Sequence, residues 1–127
     1  GAVHAFLQTF VAARQLLPRS EQEIADLTAS GFIAEQSADI VGFAAVEIYS
    51  QKLAEIQCLA VADACQGQGI GRQLVAHCVE SARNQDVLEV MAISSSEEFL
   101  RECGFDYSLP DQKRALFYQT RIDPKSM

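Results

Sequence analysis

The chain has 127 residues, the size of a single domain, and 49% of them are apolar, enough for a real core. Charged residues make up 21% and the net charge is −7, which excludes a disordered chain and argues against a generic binder of nucleic acid or anionic membrane. The charge is uneven: residues 1–109 hold six Lys/Arg against fifteen Asp/Glu, whereas 110–127 hold four against two. An acidic body thus carries a basic tail, either a solvated segment or one wall of a site for an acidic ligand. The start, GAVHAFLQTFVAARQLL, has no basic leader or small-residue cleavage site, so a cytoplasmic location is expected. Cys58, Cys65, Cys78 and Cys103 show no C-x-x-C spacing and have only His4 and His77 to join them, so reduced, mostly buried thiols and no metal are expected.

In chain order, Phe6, Leu7, Phe10, Val11, Leu16 and Leu17 predict a first helix that runs to Pro18. Ser20-Glu21-Gln22-Glu23 is a capping box for a short second helix with Ile24 and Leu27 as its stripe. GFIAEQ, a turn at Ser37-Ala38-Asp39 and IVGFAAVEIY read as a hairpin, with Gly42 marking a bulge or close packing. LAEIQCLAV (53–61) is apolar on both faces, as a central strand is. A long helix over about 70–85 follows, with Ile70, Leu74, Val75, Cys78 and Val79 towards the core, then a strand over 87–93. Ser94-Ser95-Ser96 caps a helix containing Phe99 and Leu100 that Gly104 ends; Phe105–Tyr107 and 115–120 read as closing strands. Only the step across the long helix is a parallel crossover, so the sheet is mixed.

The most informative stretch leaves a strand and enters a helix: Gln66-Gly67-Gln68-Gly69-Ile70-Gly71-Arg72. Its glycines bring backbone N–H groups close to a ligand, and a helix start supplies unpaired donors, which suits a phosphate or pyrophosphate. A dinucleotide fingerprint from Gly67 needs glycine at 72, where arginine stands, and no P-loop pattern is present.

Leu59-Ala60-Val61 followed by this loop resembles the acetyl-CoA signature [QR]-x-x-G-x-[GA] of the GNAT superfamily of N-acetyltransferases. Phe99-Leu100-Arg101-Glu102-Cys103-Gly104-Phe105 resembles that family's F-Y-x-x-x-G-F segment at the expected distance. The resemblance implies one α/β (mixed α+β) GNAT domain over 1–127: a central mixed sheet with helices on both faces, its usual first strand missing because the first strand-like run is at 31. It implies acetyl-CoA as cosubstrate, with Leu59, Ala60 and Val61 pairing with the pantetheine arm. Gln66, Gly67, Gln68, Gly69, Ile70, Gly71 and Arg72 would hold the pyrophosphate.

The amine then attacks the thioester directly in a ternary complex, so no nucleophilic thiol is required. Glu55, a carboxylate in an otherwise apolar strand, is the candidate base, acting through water; a surface or ion-paired glutamate is the alternative. Cys58 would contribute its backbone N–H as an oxyanion donor. Leu100 replaces the tyrosine that many members use to protonate the leaving thiolate, which leaves Tyr107, Tyr118, Ser94 or water for that role.

Leu16–Ser20, Ala54–Val61 and the segments Leu109–Lys113 and Tyr118–Arg121 further resemble the acetyltransferase domain of bacterial N-acetylglutamate synthases. By that resemblance Arg19 and Arg121, with Lys113 nearby, would bind the carboxylates of a small acidic amino acid such as L-glutamate, in arginine biosynthesis. Another small amine or a protein N-terminus is the enzyme alternative, and an acetyl-CoA sensor without turnover the non-catalytic one. A homodimer is possible by analogy with the superfamily.

Overall fold

The computed structural model describes residues 1–93, 97–106 and Tyr118. Helix α1 (Ala2–Ala12) buries Val3, Leu7 and Phe10. It stops short of the predicted Leu16–Leu17 because Arg14 turns left-handed at φ +61°. The Arg14 N–H then reaches the Val11 carbonyl at 3.0 Å and the Gln15 N–H the Phe10 carbonyl at 2.9 Å, a Schellman closure. Leu16 packs on the core from outside the helix, and Leu17 is exposed. Helix α2 (Glu21–Thr28) starts at the expected capping box: the Glu23 N–H donates to Ser20 Oγ at 3.1 Å and the Ser20 N–H to Glu23 Oε1 at 3.0 Å.

Strands β1 (Gly31–Gln36) and β2 (Asp39–Ile48) form the hairpin. Ser37 and Ala38 hold φ of +51° and +69°, the sign that a tight turn needs to match the twist of its strands. Strand β3 (Leu53–Val61) is antiparallel to β2, and helix α3 (Ile70–Asn84) crosses over to β4 (Glu89–Met91), which runs parallel to β3. The order is β1-β2-β3-β4, a mixed sheet as expected. Helix α4 (Glu97–Glu102) ends before Gly104, whose φ is +97°. Strand β4 is shorter than 87–93, and Phe105 and Asp106 are not in a strand; Ser94–Ser96 and the rest of the closing pair lie outside the described residues.

Two apolar clusters sandwich the sheet. Helices α1 and α2 pack with Phe43, Ala45, Cys58 and Ala60 on one face; α3 packs with Ala44, Val46, Ala54 and Ile56 on the other. Gly42 serves close packing, since a Cβ there would lie 3.0 Å from Leu74 Cδ1 and 3.1 Å from Ile70 Cγ2. Among the described residues no helix is long and apolar enough to cross a membrane.

Two irregularities of β3 position the site. Phe43 pairs with Ala60 but Ala45 with Gln57, so one extra residue of β3 is bulged out, and Cys58 there has φ +57°. The bulge resets the alternation, so Glu55, Gln57, Cys58 and Ala60 all face α1 and α2. Pairing with β4 covers only Leu53, Ala54 and Glu55. From Ile56 onward, that edge of β3 has no strand neighbour among the described residues.

Candidate active site

The open edge of β3 borders a cleft of about 660 Å³. Its walls are Phe10, Gln15 and Leu16 at the end of α1, Leu59–Val61 of β3, the loop into α3, and Phe99 and Glu102 of α4. Of the residues expected to hold acetyl-CoA, Leu59, Ala60, Val61, Gln66, Gly67, Gly69, Ile70, Gly71 and Arg72 all line it. Gln68 is the exception: its Oε1 accepts from Gln36 Nε2 at 3.1 Å and ties the loop to β1.

A short 3-10 turn (Asp63–Cys65) leads from β3 towards Gly67 and Gly69, both at φ +83° with nothing within 4 Å of the place where a Cβ would stand. This backbone is costly for any residue with a Cβ, and the space above it is free for a ligand. The first backbone bond of α3 runs from the Gln73 N–H to the Gly69 carbonyl at 3.1 Å. Among the described residues the N–H groups of Ile70, Gly71 and Arg72 have no carbonyl partner, and they carry the positive end of a 15-residue helix. Arg72 extends from the same turn and pairs with Glu102 of α4 at 3.5 Å, both largely exposed. The arrangement is built to receive an anion.

On the α1/α2 face, beside this cleft, the bulge gathers a second group of polar residues. Glu47 of β2 and Glu55 of β3 stand directly opposite each other in the ladder. Tyr49 Oη donates to Glu55 Oε1 at 2.6 Å. Gln57, only 9% exposed, lies between strands and connector. Its Nε2 donates to Glu47 Oε1, Tyr49 Oη and Glu55 Oε1, each at 3.2 Å, and its Oε1 accepts from Arg19 Nη2 at 2.6 Å. Arg19 is brought here by the connector between α1 and α2, whose carbonyl at Arg19 lies 3.1 Å from His4 Nε2. Among the described residues its guanidinium forms no ion pair with a carboxylate.

The electrostatics follow from these contacts. Burial, the hydrogen bond to Glu55 and the charges of Glu55 and Glu47 push the Tyr49 phenol up from 10.0 to about 12, so it remains a proton donor to Glu55 at neutral pH. Burial pushes the Cys58 thiol up as well, with the neighbouring Arg19 guanidinium pulling part of the way back. A buried, protonated thiol is a poor nucleophile, in keeping with a role for the Cys58 backbone rather than its sulfur. All four cysteines are free, and only Cys103 is not fully buried.

Glu55, Cys58 and Arg19 thus come together on one face, next to the cleft lined by the predicted cofactor residues; Lys113 and Arg121 lie outside the described residues. Leu100 is buried, and the Tyr118 ring is 91% exposed. Glu47, Tyr49 and Gln57 were not singled out from the sequence. Their signal was the period-two spacing of Glu47-x-Tyr49 and Glu55-x-Gln57 at facing ends of two consecutive strands, which places four polar side chains on one sheet face.

An open strand edge beside a helix N-terminus laid out for an anion is the architecture of a CoA-dependent acyltransferase. Residues 3–105 match the model of the acetyltransferase (GNAT) family, and the chain belongs to that family. An uncharacterised N-acetyltransferase of Chlorobaculum tepidum is 28% identical over 82% of this chain and 67% of its own length. An amino-acid acetyltransferase of Neisseria meningitidis serogroup A is 30% identical over 76% of this chain but only 23% of its own length. Among solved structures, N-acetylglutamate synthase from Neisseria gonorrhoeae complexed with coenzyme A and N-acetyl-glutamate superposes with a TM-score of 0.76 at 27% identity. That match covers 87% of this chain and 27% of the synthase, so the chain spans about a quarter of both Neisseria proteins.

Proposed function

We propose that the chain transfers the acetyl group of acetyl-CoA to the amine of a small acidic amino acid, with L-glutamate as the first candidate. The observation that carries this reading is Arg19: a half-buried guanidinium, held beside Gln57 and Cys58, that forms no ion pair with a carboxylate among the described residues. A planar cation of this kind suits a carboxylate held bidentately. Similarity to the Neisseria synthase supports the same choice.

In this reading the amides of the loop and of the first turn of α3 take the pyrophosphate, and Arg72 exchanges Glu102 for a phosphate oxygen. The free edge of β3 at Leu59–Val61 pairs with the pantetheine arm as an added strand. The acceptor carboxylate meets Arg19, and Arg121 and Lys113 supply charge for a second carboxylate. The acceptor's ammonium loses a proton through water to Glu55, and the neutral nitrogen attacks the thioester carbonyl. The Cys58 N–H, turned by the bulge, steadies the oxyanion. The C–N bond forms, the nitrogen gives its second proton to water, the C–S bond breaks, and the thiolate leaves as CoA thiol after taking a proton back from water, since buried Leu100 offers no hydroxyl. The same leucine favours one rival, a protein that binds acetyl-CoA without turnover.

The test is a single variant measured with L-glutamate as acceptor. Arg19→Ala raises its KM by more than about tenfold, as expected for loss of a charge-assisted contact, with acetyl-CoA affinity kept. A KM unchanged from that of the parent removes the Arg19 carboxylate contact from the account, and a parent that does not acetylate L-glutamate removes that acceptor.

A further inference from the structure

We infer that Gln57 is a positioning residue that ties the acceptor-binding arginine to the carboxylate that receives the proton; the inference rests on the roles given above to Arg19 and Glu55. A glutamine amide offers one oxygen acceptor and two N–H donors at opposite ends of a rigid group. Here the oxygen meets the only cation of the cluster among the described residues at 2.6 Å, and the nitrogen meets three oxygens of Glu47, Tyr49 and Glu55 at 3.2 Å. The reverse orientation would set the carbonyl against two carboxylates and the NH₂ against a guanidinium, so the charges around it dictate the way it points.

The need for such a residue comes from the register. Glu47 and Glu55 are cross-strand partners, and like charges directly opposite each other repel. No arginine or lysine pairs with either among the described residues. The Gln57 amide is the donor they share, and the Tyr49 hydroxyl adds a second bond to Glu55 Oε1. Among the described residues the other groups facing Glu55 are few. Met91 stands opposite on β4, and Glu89 is the next residue of β4 on the same face. Arg19, from the connector, is reached only through the amide. The bulge at Cys58 matters as well: it keeps Gln57 on this face next to Cys58, where the two otherwise would alternate.

The guanidinium has five N–H donors, so it can hold an acceptor carboxylate while still donating to Gln57. The amide then sets the distance between the acceptor's carboxylate and its proton acceptor. Loss of its oxygen end frees Arg19, and loss of its nitrogen end frees Glu55.

Two variants separate these ends. In Gln57→Leu both are lost: KM for L-glutamate rises about tenfold, kcat falls about tenfold, and the acid limb of the kcat profile moves up because the carboxylate has lost a donor. In Gln57→Glu the oxygen for Arg19 is kept but a third carboxylate replaces the donor. KM therefore stays within about threefold of the parent while kcat falls and the acid limb again moves up. Acetyl-CoA affinity is unchanged in both. Variants that lower kcat and raise KM alike, with the acid limb unmoved, overturn the inference. If the parent acetylates no acidic amino acid, the proposed function fails, and crystal structures of the two variants decide on Gln57 separately. Arg19 displaced in the leucine variant and held in the glutamate variant supports it; Arg19 and Glu55 unmoved in both overturns it.

Discussion

Cys58 holds a φ of +57° with a side chain that strongly prefers the opposite sign, in the middle of a central strand. Such strain costs on the order of 1–3 kcal/mol and here coincides with the one-residue bulge of β3. If the backbone is what matters, Cys58→Ala keeps kcat within about threefold, whereas a loss of 100-fold or more would return the role to the sulfur. Glu55→Gln lowers kcat by about 100-fold with acetyl-CoA affinity intact, the usual range for loss of a general base. Glu55 stood out in the sequence because a charge in an apolar strand is conspicuous. Gln57 did not: its importance comes from a one-residue bulge, which alternation along a strand does not reveal. Arg19 was reached only through a resemblance, since a connector arginine has no local pattern to mark it.

At the scale of elements, the glycine loop and α3 carry the clearest message, because strand, loop and helix start are contiguous in sequence. Gly69→Ala forces a side chain into a left-handed backbone at φ +83° and is expected to cost about 1–2 kcal/mol of local stability. It should weaken acetyl-CoA binding about tenfold by calorimetry, and an unchanged affinity would separate this loop from the anion. Ser20→Ala removes one half of the capping box and costs about 1 kcal/mol, read as a lower thermal midpoint. The capping box was legible because both partners lie within four residues. The end of α1 was not: Leu16 and Leu17 continue the apolar spacing, yet Arg14 closes the helix two residues earlier, so Leu16 packs from the connector and Leu17 is exposed. The length of β4 also escaped the sequence, because 87–93 is apolar but for Glu89 and so reads as one strand, while only Glu89–Met91 finds a partner on β3.

At the scale of the whole molecule, a net charge of −7 must still admit an anionic cosubstrate and, in the proposed reading, an acidic acceptor. The fold meets this locally, with helix amides and Arg72 on one side of β3 and Arg19 on the other. Alkaline stability follows from acids that the fold keeps protonated, chiefly the fully buried Cys78. Burial holds the Cys78 thiol up to about 12 from an ordinary 9.0, and Tyr49 rises to about 12 from 10.0. Above about pH 9 the unfolded chain releases protons that the fold retains, so stability is full below that pH and falls as pH rises towards 12. Denaturant midpoints between pH 7 and pH 11 check this; a flat profile would mean that these groups are accessible in the fold. The mixed sheet and its crossover were readable from the order of strands and helices, since a long helix between two strands demands a parallel pair.

The central claim is the chemistry at the junction of cleft and polar cluster. It is tested most directly by incubating the protein with acetyl-CoA and a panel of amino acids and identifying the products by mass spectrometry. N-acetylglutamate, or the N-acetyl form of another acidic amino acid, is the expected dominant product. Acetylation confined to amines without a carboxylate, or acetyl-CoA bound with no amine acetylated, would contradict it.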